Sequence, residues 1–316
     1  MTDLVAHDRH EREVQHRQPD QPRAGALAPL AVAAKRQTQL GIVWRGLRRD
    51  TFALIGGAIV LVTVFLAVAA PVIAPHDPLK QNSKIRLSPI GTKGHPLGTD
   101  GNGRDILSRL IYGSRTALLV ATVPVIAAAV AGLAMGLAAG YFGGWVDAIL
   151  MRIADILFAF PAILLAIAIV AALGPRLINA MMALAIVFIP AFARLVRASV
   201  LSLRNREFVL AARASGATGW RIIGRHILIN ALPTIIVFAT LQTGQMIIFG
   251  AALSFLGLGV QPPTPDWGTM ANDGRNSMLI APWVTTLPGI AIFIVSVGFN
   301  LLGDGLRDAL DPTLKV

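Results

Sequence analysis

The residues that could do chemistry are few and far apart. Phosphate chemistry needs a glycine-rich loop ending in Lys and Ser/Thr, and no Gly-x-x-x-x-Gly-Lys-Ser/Thr occurs; Gly303-Asp304-Gly305 lacks both a preceding strand and a third glycine. There is no His-Glu-x-x-His zinc pair and no Gly-x-Ser-x-Gly nucleophile elbow. The chain has no cysteine, which excludes a disulfide framework, a thiolate zinc site and a Cys nucleophile. Its six histidines, at 7, 10, 16, 76, 95 and 226, are scattered, and no metal site is expected from them. His226 reads as a capping or interfacial residue rather than a proton relay. No catalytic residue is predicted.

Two charged groups remain. Arg152 and Asp155 stand three apart near one end of an apolar stretch, so they share a helix face. A lone charge at the centre of a membrane span costs about 2.5–3.5 kcal/mol on insertion scales, and pairing or a water-filled cavity reduces that. Two roles follow for the pair: lining or gating a pathway, or clamping helices together. Asp304, Arg307, Asp308 and Asp311 make a charged C-terminal stretch for which surface salt bridging is favoured over partner binding.

These groups must be positioned by apolar elements, because apolar residues dominate. The chain is 316 residues long, 54% hydrophobic and only 14% charged, against about 25% charged in soluble domains. The deficit lies in long blocks, the pattern of an all-α polytopic membrane protein. A formal charge of +11 would invite nucleic acid in a soluble protein. Here the aromatics lie mostly in the apolar blocks, so no nucleic-acid partner is predicted and positive cytoplasmic loops account for the charge. Residues 1–44 are polar and mixed in charge, with no apolar core near Met1. They are expected to form a disordered, basic cytoplasmic tail rather than a cleavable signal.

Because about 20 residues cross a hydrocarbon core of roughly 30 Å, six spans are predicted, near 52–74, 116–141, 145–173, 179–198, 232–258 and 283–302. Lys35, Arg36, Arg45, Arg48 and Arg49 precede the first and place both termini in the cytoplasm. Gly132, Gly136 and Gly140 give the second span a smooth face for close packing. Pro161 is expected to kink the third, and Pro190 to interrupt the fourth. Residues 75–114 form a long polar loop in which Asp105 begins a helix lying on the membrane surface or packed on the bundle. Its six basic residues, Lys80, Lys84, Arg86, Lys93, Arg104 and Arg109, run against the charge rule for an outer loop. Residues 259–282 are a second outer loop, and 303–316 a short tail.

The stretch from Asn205 to Pro233 is a basic island. Across 194–225, Arg194, Arg197, Arg204, Arg206, Arg213, Arg221 and Arg225 stand against the single acid Glu207, the strongest orientation signal in the chain. It reads as two short helices, capped by Asn205 and Thr218 and broken at Gly216, where a left-handed φ is wanted. The second helix carries Trp220, Ile222, Ile223 and Ile227 toward the membrane. Alanines 211, 212 and 214 leave low relief for another protein. An amphipathic connector and a docking element both fit.

LAARASGATGWRIIGRHILINALP, 210–233, resembles the cytoplasmic coupling segment of ATP-binding-cassette importer permeases. HPLGTDGNGRDILSRLIYGSR (95–115), RIADILFAFPAILLAIA (152–168), IPAFARLVR (189–197), LSFLGLGVQPPTPDWGTM (253–270) and FNLLGDGLRDALDP (299–312) are similar to the second permease of dipeptide, oligopeptide and nickel importers, nearest the glutathione-type branch. The resemblance covers about 45–316. It implies a type I importer permease of the bacterial cytoplasmic membrane, without a cofactor or enzyme activity of its own. Its implied partners are a second permease subunit, two ATPases that use ATP and Mg, an extracytoplasmic solute-binding protein, and lipid. Docking on an ATPase would fall to 199–230, through Glu207, Ala211, Ala212, Arg213, Gly216 and Ala217. Two positions depart from the family pattern: a glutamate is replaced by Leu210 and the exit proline by Ile229. A nickel-chelate cargo, a passive channel and a membrane cofactor-binding subunit are the alternatives, the last needing clustered intramembrane His or acidic residues.

Overall fold

The computed structural model describes residues 47–48 and 50–310, so the predicted tail at 1–44, and Asp311, lie outside the described residues. Asp50 starts the first helix, α1 (Thr51–Ile73), by accepting from the Phe52 and Ala53 amides at 2.8 and 3.3 Å. Pro75, just past its end, cannot continue it. A polar loop leads to α2 (Ile106–Phe142), capped by Asp105. Then come α3 (Gly144–Phe158), α4 (Ala162–Leu173), α5 (Leu177–Leu203) and the short α6 (Glu207–Ala214). One turn, α7 (Gly219–Ile222), runs through a π-helical turn at Ile223–Ile227 into α8 (Leu228–Phe255). A second loop holds α9 (Trp267–Gly274) ahead of α10 (Trp283–Leu310). The described residues are all-helical apart from two isolated bridges. Five helical stretches, including 219–255 as one, are long and apolar enough to cross a membrane; the α3–α4 pair makes a sixth if it is one span. Leu61, Val68 and Val72 on α1 are 70–86% exposed, as a lipid-facing stripe requires.

Several boundaries differ from the sequence expectation. The helix begun at Asp105, expected to lie on the membrane surface or pack on the bundle, is continuous with the second span, and α2 is 37 residues long. Its first turns look polar in sequence, but Arg109 is buried against Asp100, and Arg115 donates to the Ala67 and Val68 carbonyls of α1. Pro161 does more than kink: α3 ends at Phe158, α4 begins at Ala162, and their axes differ by 88°. Proline lacks the amide for the ladder and pushes Phe160 out of the helical region. Pro190, expected to interrupt, sits inside an unbroken α5, as buried spans tolerate when neighbours satisfy the freed carbonyls. The loop expected at 259–282 contains α9, and the predicted tail continues α10 to Leu310.

Packing rests on close backbone approach, because lipid supplies no hydrophobic drive between spans. A Cβ on Gly136 would stand 2.6 Å from Val196 Cβ, and one on Gly140 2.7 Å from Val200 Cβ, while Gly132 faces Phe192. Positions thus rise together along both helices: α2 and α5 are parallel. Gly56 meets Gly298 and Leu302, and Ala53 meets Gly305, so α1 and α10 are antiparallel; Gly244 on Ser296 and Leu241 on Gly303 make α8 and α10 antiparallel too. These contacts gather the start of α1, the end of α2, segment 204–227 and the end of α10 at one end of the bundle. The polar loop 74–105 lies at the other. Between them, Phe192 stacks edge-on with Phe238 at 5.0 Å, and Phe188 with Phe249 at 5.5 Å.

Candidate functional site

The basic island folds into a surface helix tied down by a helix-ending turn. Ser215 is the C-cap of α6 and Gly216 follows at φ +79°. The Gly216 amide donates to the Arg213 carbonyl at 3.0 Å, and the Ala217 amide to Ala212 at 3.1 Å. That pair of bonds is the Schellman arrangement, which needs a left-handed residue where glycine stands. Neither predicted cap operates: the N-cap of α6 is Arg206, one residue after Asn205, and Thr218 precedes α7 without a side-chain bond.

One face of the segment is anchored. Val209, Ile222 and Ile227 are fully buried with Val196, Val200 and Ala231, and Ala212 and Ala217 pack half-buried against them. Gly219 lies against the Tyr141 ring, Phe142 meets Trp220 edge-on at 6.1 Å, and Arg204 Nη1 donates to the Gly140 carbonyl at 3.1 Å. Of the four residues expected to point toward the membrane, Ile222, Ile223 and Ile227 are buried in the bundle and Trp220 is 76% exposed. The other face is open: Glu207, Phe208, Leu210, Ala211, Arg213 and Gly216 are exposed. Among the described residues Glu207 and Arg213 carry no ion pair. The six residues named for docking therefore divide, with Glu207, Ala211, Arg213 and Gly216 presented outward and Ala212 and Ala217 serving as anchors.

Arg152 and Asp155 do not pair with each other. Asp155 Oδ1 accepts from Arg194 Nη2 on α5 at 2.7 Å, and that guanidinium lies 4.1 Å over the Phe158 ring. Arg152 is exposed, without an ion pair among the described residues. A bidentate bridge one turn further on, Arg197 Nε and Nη2 to Asp147 at 2.6 Å each, holds α3 to α5. The salt bridging expected of Asp304, Arg307 and Asp308 is not formed among the described residues. His226 is half-buried, its carbonyl accepting from Asn230 Nδ2 at 2.6 Å.

At the opposite end the polar loop is built on a buried carboxylate that sequence reasoning did not single out. Asp100, 3% exposed, accepts from the amides of Asn102 and Arg104 at 2.8 and 2.9 Å, from Arg104 Nε at 2.7 Å, and from Arg109 Nη1. Burial alone would raise its pKa, but Arg109, Arg104 and the two amides hold it below the usual carboxylate range. Arg104 reaches on to Asp273 at 3.2 Å, so the knot joins the loop to α2 and α9. Asp266, the N-cap of α9, takes the opposite course: burial pushes its carboxyl up despite the Thr269 amide at 3.0 Å. The same loop brings together two histidines that the sequence leaves scattered. Their rings stack at 4.5 Å beside Asp105, whose Oδ1 lies 2.9 Å from His95 Nδ1.

Residues 132–316 match the model of the binding-protein-dependent transport system inner membrane component, and 38–89 that of the N-terminal TM domain of oligopeptide transport permease C. The chain is 47% identical over 295 residues to the glutathione transport system permease protein GsiD of Pectobacterium atrosepticum, covering 93% of this chain and 98% of that one. It is 48% identical over 272 residues to the dipeptide transport system permease protein DppC of Alkalihalophilus pseudofirmus, covering 86% and 89%. Among solved structures, the inward-facing MetNI methionine ABC transporter shares the fold with TM-score 0.54 and 22% identity, over 64% of this chain and 96% of that one. By these matches over most of its length, the chain belongs to the family of binding-protein-dependent transport system inner membrane components.

Proposed function

We propose that this chain is one of two paired permease subunits in an ATP-driven, binding-protein-dependent importer of small peptides, either di- and oligopeptides or glutathione. The observation that carries the reading is its near-full-length likeness to permeases named for glutathione and dipeptide transport. The chain crosses the membrane six times with both termini inside. The parallel run of α2 and α5 supports this count: the chain must return from the end of α2 to the start of α5, and the bent α3–α4 pair is the segment available. The exposed face of α6 docks on a partner ATPase, which supplies the energy that a chain without a phosphate loop needs. ATP-driven closure favours one arrangement of the spans over the other, and differential contact with the two is what moves the equilibrium.

Reconstitution into proteoliposomes with the partner permease, ATPases and binding protein tests the reading. Stimulation of ATP hydrolysis and uptake by dipeptides or glutathione is expected; stimulation by a nickel chelate alone would replace the cargo, and ATP-independent flux would replace the mechanism. Gly216→Val tests the docking role. A Cβ there meets nothing within 4 Å, so the penalty is backbone strain alone, about 1–2 kcal/mol for an L-residue in that region. A folded chain that has lost most stimulated ATPase is the expected result, with Gly216→Asn, which tolerates the conformation, retaining it. Normal uptake by the valine variant at normal expression would remove the docking role.

A further inference from the structure

We propose that His76, His95 and Asp105 form a binding site for a late first-row divalent cation such as Zn²⁺, at the loop end of the bundle. One ligating atom from each lies within 4.8 Å of the other two. Three separate pieces of chain converge here: the exit of α1, the middle of the loop and the N-cap of α2. The two imidazoles stack at 4.5 Å with 25° between their planes. Both turn Nδ1 to the same carboxylate, at 2.9 Å for His95 and 3.9 Å for His76.

The His76 nitrogen is the telling atom. His76 Nδ1 is buried and has no hydrogen-bond partner, the state that native structures avoid. Its position beside Asp105 is set from outside the ring, because the His76 amide donates to Ser108 Oγ at 3.0 Å. A cation between the two Nδ1 atoms and the carboxylate satisfies all three groups. Tetrahedral zinc, with bonds of about 2.0–2.2 Å, sets its ligands roughly 3.3–3.5 Å apart, so closing the site lengthens the 2.9 Å contact of His95 with Asp105 by about half an ångström and draws His76 Nδ1 inward.

The surroundings suit such a site. Asp105 is 2% exposed, and its Oδ2 accepts from the Ser108 amide at 2.8 Å and from Ser108 Oγ at 2.7 Å, an outer shell that orients a ligating carboxylate. The His76 side chain is 38% exposed, which leaves an entry path and a position for water. Two imidazoles and one carboxylate favour zinc, nickel or copper over magnesium, which demands oxygen ligands.

The test uses the full chain in detergent, purified through a tag without histidine, stripped with chelator and titrated with Zn²⁺ against a chromophoric competitor. Wild type is expected to hold one Zn²⁺ equivalent more than His76→Ala, with the affinity of that equivalent at least tenfold weaker in His95→Ala. A hundredfold excess of Mg²⁺ should not displace it. The histidines at 7, 10 and 16 and at 226 are common to all variants and cancel in the difference. Among the described residues the His76 side chain makes no hydrogen bond, so its removal leaves the His95–Asp105–Ser108 contacts in place. His76→Phe keeps the ring stack without the nitrogen and serves if the alanine variant fails to fold. Equal zinc in wild type and both His76 variants, or none in any, would overturn the proposal. Occupancy is read without transport, so the outcome is independent of the importer reading.

Discussion

Replacing Asp100 with Asn should be among the most damaging isosteric changes in this chain. Asparagine keeps the oxygen that accepts from the Asn102 and Arg104 amides, but turns an NH₂ toward Arg104 Nε and Arg109 Nη1, which can only donate. Two charge-assisted bonds are lost, at about 1.5–3 kcal/mol each. Arg104 keeps Asp273 at 3.2 Å, whereas Arg109, 2% exposed with its Nε already unpartnered, keeps only the longer-range attraction of Asp273 and Asp266. Breaking a buried pair from one side typically costs about 3–5 kcal/mol, so both routes agree. Unfolding followed by tryptophan fluorescence, at matched scan rate in one detergent, should show a loss on the order of 10 °C. Trp267 is a built-in reporter, since its Nε1 donates to the Leu110 carbonyl at 3.0 Å within the region perturbed. Asp100→Asn/Arg109→Met should recover roughly 2 kcal/mol relative to the sum of the single changes. The acid side gives an independent check. Because the folded pKa is depressed, the stabilisation is present above the unfolded value near 3.8 and lost as pH falls through the folded one; the variant should be flat in that window. A single-variant cost below about 1 kcal/mol, or strict additivity of the double, would refute the buried knot as the loop's anchor.

Other outcomes follow from named contacts. Asp266 is raised in the folded state, so wild type should lose stability as pH climbs from about 3.8 through that higher value. Asp266→Asn, which keeps a cap acceptor for Thr269, should remove the slope and match or exceed wild type at neutral pH in thermal unfolding. Gly136→Leu drives a side chain into Val196 and the Ala193 carbonyl and should cost at least about 1–3 kcal/mol, whereas Gly289→Ala, with nothing within 4 Å, should be neutral or stabilising by up to ~1 kcal/mol; comparing detergent-extracted yield and melting separates them. A double-mutant cycle should find Asp155 coupled to Arg194 by up to about 1 kcal/mol and uncoupled from Arg152.

Much of the bundle was legible because its signal is additive over 20 residues: charge-free runs and the four-residue glycine repeat survive local errors. Gly216 was legible because its backbone demand has one common solution. Helix ends were not. Arg109 and Arg115 interrupt the apolar pattern, and only tertiary partners in α1 and the loop allow the helix to run through them. Proline was ambiguous for a related reason: Pro124, Pro190, Pro233 and Pro288 lie within continuous helices and Pro161 lies at a break, a difference set by neighbours rather than by the residue. The meeting of His76 with His95, 19 positions away, depends on how Asp100 folds an aperiodic loop, and nothing periodic announces it.

The glycine seam between α2 and α5 has a mechanical meaning. At 1.5 Å per residue, the 27 residues of α5 form a rod of about 40 Å, stiffened at three points by the close approach of Gly132, Gly136 and Gly140 on α2. Its end carries α6, fixed by Arg204 to Gly140 and by Gly219 to Tyr141. A partner that tilts this handle by about 5° moves the far tip of the rod by roughly 3–4 Å, with little lost to bending. The two helices act as one beam, and a partner docked on the exposed helix, as proposed, would load that beam at its end.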